Sequence, residues 1–216
     1  MKIAQGSKSL IIASFFVCLI FFVLIFITNQ TLLRYIFLFF AVLLFLKTFM
    51  FLIFFRDPDR TIGKGIVASA DGKIREISDE NDDEIGKCTK ISTFMNLYNV
   101  HVNRIPVEGI VKNITHKKGL HLPAFKKESE KNERVITIID TKIGKIKVIQ
   151  IAGTIARRIF PYIKIGDKMK KGEKIGIIKF GSRVDVYLPT QKIKKICVRV
   201  GDIVKAGETT IAEVND

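Results

Sequence analysis

Gly181-Ser182 lies between two apolar, β-branched runs, Ile175–Phe180 and Val184–Leu188. Both runs favour strand. A glycine inside such a pattern marks a bulge or a close backbone approach. The serine after it can then sit in a strained peptide with its hydroxyl near the preceding carbonyl. Taken alone, Gly-Ser is one of the commonest turn dipeptides. His101 lies in Val-His-Val-Asn-Arg, where alternation puts His101 and Asn103 on one strand face and Val100 and Val102 on the other. Read locally, His101 is a hydrogen-bonded structural histidine and the Asp71-Gly pair a plain turn.

Other chemistries are poorly served. The histidines are His101, His116 and His121, and none stands at zinc-ligand spacing from a cysteine, so no metal is expected. The cysteines, Cys18, Cys88 and Cys197, are odd in number and unpaired in spacing, which fits a reducing compartment rather than a disulfide framework. No glycine-rich phosphate loop opens a helix.

Two kinds of element must carry these residues. Leu10–Thr28 is almost wholly apolar and long enough to cross a bilayer core of roughly 30 Å. After Asn29-Gln-Thr31 a second apolar run, Leu32–Phe55, contains only Arg34 and Lys47 as charges, both able to snorkel. A signal peptide is the rival reading of the first run. No small-residue cleavage site separates the runs, which favours a helical hairpin over about 9–28 and 32–55. Lys2 and Lys8 precede it, Arg56, Arg60 and Lys64 follow it, and the connecting turn is uncharged. The positive-inside rule then places both ends in the cytoplasm. A shallow hairpin that does not fully cross is the alternative.

Asp57-Pro-Asp-Arg-Thr-Ile-Gly63 has turn chemistry and marks a boundary. The expected organisation is a membrane hairpin over 1–60 and a β-rich domain over 61–216. In the second part short alternating runs follow one another: 65–68, 73–77, 88–92, 109–114, 135–140, 145–151 and 193–200. That frequency predicts an all-β barrel or sandwich. The segment 154–160 reads as a short helix or another strand, and 112–127 as a basic surface stretch carrying His116 and His121. Lys164–Ile175 and Arg199–Thr210 resemble each other, each reading Gly-Asp, a hydrophobic turn, then Gly-Glu. This is similar to the repeated hairpin of biotinyl and lipoyl carrier domains, but the lysine tripeptide that carries the prosthetic group there is absent. The predicted class is mainly β, a barrel-sandwich-like domain behind an N-terminal hydrophobic hairpin. The chain has 216 residues, a net charge of +15 and a pI of about 9.8. Such an excess suits an anionic partner. Trp is absent and most Phe lie in the apolar hairpin, so an anionic membrane surface is favoured over nucleic acid.

Phe180-Gly-Ser-Arg-Val-Asp-Val-Tyr-Leu-Pro189 closely resembles the processing site of phosphatidylserine decarboxylase proenzymes in their short form. Phe54-Phe-Arg-Asp-Pro-Asp-Arg60, Ala70-Asp-Gly-Lys-Ile74, Asn99-Val-His-Val-Asn-Arg-Ile-Pro106, Asn132-Glu-Arg134 and Gln150-Ile-Ala-Gly-Thr-Ile-Ala-Arg-Arg158 match that family in the same order. The resemblance implies that Ser182 Oγ attacks the Gly181 carbonyl, turning the amide into an ester. Elimination of the Gly181 carboxylate then leaves a dehydroalanine, and hydrolysis releases ammonia and leaves a pyruvoyl group at 182. The products are a β chain, 1–181, and an α chain, 182–216, which stay together as a heterodimer. The substrate amine of phosphatidylserine condenses with the new ketone, and CO2 leaves to give phosphatidylethanolamine. An ether-lipid, archaetidylserine-type substrate shares this headgroup chemistry.

A serine hydroxyl needs a base. The resemblance points to His101 for that role and to Asp71 as the residue that orients it. Longer members carry a second histidine where this chain has Arg104, so His101 is open to serving both cleavage and decarboxylation. Asn99 stands where an aspartate is frequent. Arg157, Arg158 and Arg183 are candidates for the lipid phosphate, since Arg forms bidentate pairs with phosphate. The implied location is the inner cell membrane with the catalytic domain on the cytoplasmic side. A non-enzymatic membrane-anchored carrier or binding module is the alternative class.

Overall fold

The computed structural model describes residues 2–120, 122, 131–153, 158–179 and 182–215. The chain divides into two compact units, Met1–Pro58 and Asp59–Asp216. His121, Arg157 and Gly181 of the sequence reading, and the segment 154–157, lie outside the described residues.

The first unit is a helical hairpin, α1 (Lys8–Ile27) and α2 (Thr31–Phe54). Both helices are long and apolar enough to cross a membrane. They expose Phe, Leu, Ile and Val nearly all round and bury only small or terminal positions such as Ser14, Ala41, Thr48 and Phe51. An element apolar on every side suits lipid rather than water. The helices meet through small polar residues. Ser14 Oγ and Thr48 Oγ1 are 2.8 Å apart, and Thr48 Oγ1 also donates to the Leu44 carbonyl. Small residues and interhelical hydrogen bonds are what hold helices together where lipid is as apolar as the side chains. The Arg34 Nε–H closes the turn by donating to the Thr28 carbonyl at 2.8 Å.

The second unit is β throughout. Its main sheet contains β2 (Gly72–Asp82), β3 (Gly86–Met95), β5 (Gly109–Lys117), β6 (Arg134–Thr141), β7 (Gly144–Ala152), β9 (Lys168–Met169), β11 (Ser182–Pro189) and β13 (Ile203–Val204). The order is β13-β2-β3-β11-β7-β6-β5-β9, antiparallel at every pairing. Two three-stranded sheets complete the unit. One joins β1 (Ile66–Val67), β14 (Thr210–Val214) and β12 (Ile193–Ile196); the other joins β4 (Val102–Arg104), β10 (Lys174–Ile178) and β8 (Ile159–Pro161). A strand forms in each predicted run; β2 and β5 extend past the core on charged residues, whereas β12 stops at Ile196, short of the expected 200. His116 falls on β5, so the basic stretch begins as strand. Side chains at alternate positions, among them Ile74, Ile91, Val111, Ile139, Val148, Val184 and Val186, make the apolar core.

The main sheet has an approximate internal two-fold. Its strand order reads the same from both edges if β2 is matched with β5, β3 with β6 and β11 with β7. β2 is bulged between Ile74 and Glu76, and β5 between Val111 and Asn113. The repeated Gly-Asp…Gly-Glu segments are the matching connections. Gly201 N–H donates to the Ile74 carbonyl as Gly166 N–H donates to Val111, and Gly207 donates to Ala68 as Gly172 donates to Ile105. The aspartates close their turns alike: Asp167 Oδ2 accepts Lys164 N–H and Asp202 Oδ2 accepts Arg199 N–H, both at 2.8 Å. Gly172 and Gly207 have φ of +82° and +77°, a region that other residues enter only at a cost. This is why the repeat keeps its glycines and acids.

Candidate active site

Ser182 begins β11, paired with Met95 on β3 and Ala152 on β7. Alternation places Ser182, Val184, Val186 and Leu188 on the core face. The serine is completely buried, and its Oγ donates to Met95 Sδ at 3.2 Å. A second donor, Asn103 Nδ2, reaches the same sulfur at 3.6 Å. Asn103 Oδ1 in turn accepts from Gln150 Nε2 at 2.8 Å. Met95, Asn103, Gln150 and Ser182 are each no more than 1% exposed, so an uncharged polar cluster sits inside an apolar core. A buried polar group without a partner is costly, so such a cluster must be connected to persist. Asn132 fastens the strand beside it, donating from Nδ2 to the Ala152 carbonyl at 2.8 Å.

His101 is fully buried just before β4, and the Ile178 N–H donates to its carbonyl at 3.4 Å. Its Nδ1 is 2.8 Å from the Asn99 carbonyl. A carbonyl can only accept, so the proton sits on Nδ1 and the basic lone pair of a neutral ring is on Nε2. The Asn99 backbone therefore orients the ring in the way the sequence reading gave to Asp71.

Asp71 is held elsewhere. Arg60 Nη2 donates to both its oxygens at 3.0 and 2.8 Å, and the Ala206 N–H donates to Oδ1 at 2.8 Å. Arg60, itself nearly buried, also bonds Glu208. Among the described residues Asp71 makes no hydrogen bond to His101, nor Ser182 to His101.

Arg183 and Asp185 point to the face opposite Ser182. Arg183 Nη2 donates to Asp185 Oδ2 at 2.9 Å, both residues buried. Burial pushes the Asp185 carboxyl above its usual range, with the Arg183 charge opposing. Arg183 is thus part of a buried ion pair and not on the serine's side of the sheet. Arg158 lies at the rim, before β8, in a cleft with His116, Lys118, Glu133 and Phe160. The sequence reading missed Arg60, Met95 and Gln150 as site residues. All three lay in or beside family-like motifs, but a methionine or an amide carries no chemical signal until the strands are in register.

The fold and site define a β domain with a serine buried at a strand end beside uncharged amides, and a buried histidine held through Nδ1 by a backbone carbonyl. Residues 48–212 match the family model described as phosphatidylserine decarboxylase. A phosphatidylserine decarboxylase proenzyme of Thermobifida fusca is 50% identical over 159 residues, covering 73% of this chain and 70% of that one. A provisionally named archaetidylserine decarboxylase proenzyme of Methanococcoides burtonii is 50% identical over 169 residues, 77% of this chain and 76% of that one. One so named from Methanosarcina barkeri is 41% identical over 215 residues, 98% of each chain. The chain belongs to the phosphatidylserine decarboxylase family and is a decarboxylase.

Proposed function

We propose that the chain is a proenzyme that cuts itself between Gly181 and Ser182 and then decarboxylates phosphatidylserine or its ether-lipid counterpart. The observation that carries this reading is the buried Ser182 hydroxyl, held by the Met95 sulfur beside Asn103 and Gln150 at the first residue of a core strand. Relatives of both names reach the same identity, so the headgroup is shared and the lipid linkage is left open.

Cleavage starts when the Ser182 hydroxyl turns from Met95 to the Gly181 carbonyl while His101 Nε2 takes its proton. The Oγ–C bond forms as the C–N bond breaks, giving an ester and a free amine at 182. Loss of the Ser182 Cα proton then breaks the Cβ–O bond and expels the Gly181 carboxylate. One water replaces the nitrogen, which leaves as ammonia, and a ketone remains. Asp71 holds Arg60 and the Ala206 loop and acts with His101 in this maturation.

A pyruvoyl group at 182 fits the residues present. Asn103 and Gln150 bring amide groups to the Met95 sulfur that Ser182 touches, among the described residues no carboxylate bonds to this cluster, and Met95 and Ala152 hold the strand in register. When bound, that group supplies the electron sink for the carbanion that loss of CO2 leaves. His101 Nε2 can return a proton to the substrate carbon. The apolar walls exclude water and keep that proton from exchanging. The α and β chains remain associated through β11. The apolar hairpin anchors the chain in the inner membrane, with the β domain on the cytoplasmic side. External labelling of a cysteine at position 216 in intact cells would contradict that sidedness.

Intact mass tests the central step. The wild type should arrive as two chains, the smaller beginning at a blocked residue 182 and lacking a free amine. Ser182→Ala should remain one chain without decarboxylase activity. An active enzyme whose small chain keeps a free N-terminal serine rules the mechanism out.

A further inference from the structure

Beside the serine cluster is an open cleft of about 430 Å3 lined by His116, Lys118, Glu133, Arg158 and Phe160. Its distance from the cluster is set by the backbone. Ala152, the register partner of Ser182, donates its N–H to the Glu133 carbonyl, and Lys179 N–H reaches the Arg158 carbonyl. Lys179 Nζ stands 4.4 Å from the centre of the Phe160 ring. Burial, and then the Arg158 charge, push the Lys179 ammonium below its usual range. Among the described residues the carboxylate that lines the cleft is Glu133, mostly buried and bonded to His116 Nε2 at 3.0 Å. Among the described residues no carboxylate bonds to Arg158. Arg158 therefore lines the cleft, Lys179 stands at its edge over the Phe160 ring, and the Glu133 carboxylate is engaged with His116. A guanidinium and an ammonium together bind phosphate well.

We propose that this cleft is the headgroup phosphodiester subsite, with Arg158 and Lys179 as its anion-binding pair and Lys118 at its rim. The proposal rests on the decarboxylase reading and deepens it. The volume is in the range of small-ligand sites. Lys179 belongs to the β chain, three positions before Ser182, so the phosphate would be held by one chain and the reacting carbon presented to the other.

The test uses the full-length Ser182→Ala chain in detergent, which holds the cleft but cannot turn over. Glycerophosphoserine, inorganic phosphate and free serine are titrated by calorimetry. Glycerophosphoserine should bind, inorganic phosphate should compete with it, and free serine should bind at least about tenfold more weakly. Arg158→Gln and Lys179→Gln should each weaken glycerophosphoserine by about tenfold or more, Arg158→Lys should recover part of the loss, and Lys145→Gln at an exposed position of β7 should change nothing. In the cleaved enzyme Arg158→Gln should raise KM for phosphatidylserine and leave the extent of cleavage unchanged. Equal glycerophosphoserine affinity in wild-type background and Arg158→Gln overturns the proposal. So does displacement of the bound headgroup by vesicles of any anionic lipid but not by inorganic phosphate, which would make the cleft a membrane-surface patch. Arg158-dependent headgroup binding in a chain whose wild type neither cleaves nor decarboxylates would leave the subsite standing and remove the decarboxylase mechanism.

Discussion

The two halves of the main sheet follow one plan, and the site lies where they part. In the second half β6 and β7 are joined by a tight hairpin, whose last pair is Thr141 with Gly144. Counting from the matched bulges, the equivalent pair in the first half is Met95 with Ser182. There the chain does not turn. It leaves at Met95, builds the second half, and returns to pair at Ser182. Ser182 therefore begins its strand at a point where its fold-mate makes a connection. The same comparison separates chemistry from scaffolding in the acidic residues. Asp71 and Glu108 each precede the glycine that opens a long strand, β2 or β5. Glu108 is exposed and meets Lys142 at 3.2 Å on the surface. Asp71 is buried and accepts three hydrogen bonds from two groups, the Arg60 Nη2 and the Ala206 N–H.

The largest expected difference is between those two acids. Asp71→Asn leaves Arg60 buried without its main counter-charge, which costs roughly 3 kcal/mol or more and lowers Tm by roughly 10 °C. It should also accumulate uncleaved precursor, as should His101→Ala. Glu108→Gln removes an exposed pair and should stay within about 0.5 kcal/mol with normal cleavage. The double variant Arg60→Gln/Asp71→Asn has no orphaned charge, so Tm should recover while cleavage stays lost. Cleavage that returns together with Tm would make Asp71 a scaffold residue only.

A smaller effect is expected at the hairpin that mirrors the scissile site. Gly144 has φ of +98° and open space around its Cα. Gly144→Ala therefore meets no clash but must hold a left-handed backbone, at about 1 kcal/mol. Differential scanning should show Tm lower by a few degrees, and the gel pattern of α and β chains should be that of the wild type. Impaired cleavage in this variant would mean that the halves are coupled more tightly than their separate connections suggest.

Much of this architecture was legible in the residues. The apolar hairpin, the short strands and the Gly-Asp…Gly-Glu repeat are local signals, governed by hydropathy period and turn chemistry. Ser182 stood out because a Gly-Ser pair interrupts two apolar runs. What the sequence withheld was lateral register. Nothing local says that Met95 lies opposite Ser182, that Gln150 reaches Asn103, or that Arg60 rather than His101 takes Asp71. These pairings join residues up to 87 positions apart. Alternation did put His101 and Asn103 on one face, yet their partners depend on which strands are neighbours. Arg183 shows the converse, since its place next to Ser182 in sequence puts it on the opposite face of the strand.

The smallest expected effect distinguishes the two buried-charge sites on the outer face. Following the matched bulges, Asn113, Ile138 and Lys147 stand opposite one another in the second half as Glu76, Ser92 and Asp185 do in the first. Lys147 bonds Asp82 at 2.6 Å and Glu84 at 2.8 Å. Burial is the largest single influence and pushes the Asp82 carboxyl up, but the Lys147 hydrogen bond and charge together with the Glu84 and Ile85 N–H groups outweigh it, and the net shift is down. Its contribution is thus present above the ordinary carboxylate range and is lost as pH falls through the lowered value. Asp185 behaves in the opposite sense. Burial outweighs Arg183 and holds its carboxyl above the ordinary range. The folded chain then binds more protons at this site than the unfolded chain, so stability declines as pH rises through the raised value. Across about pH 2 to pH 7 the two variants should change the pH slope of stability in opposite directions, Asp82→Asn below about pH 4 and Asp185→Asn above it. Asp185→Asn removes a falling component, so its stability should rise more steeply with pH than the wild type's. Asp82→Asn removes a rising component that lies mostly at the acid end, so its curve should be flatter there. Urea unfolding of the full chain in detergent across that range measures both. Parallel slopes for the two variants would show that Arg183 neutralises Asp185 as fully as Lys147 neutralises Asp82, and the asymmetry between the halves would then be confined to the scissile end of the sheet.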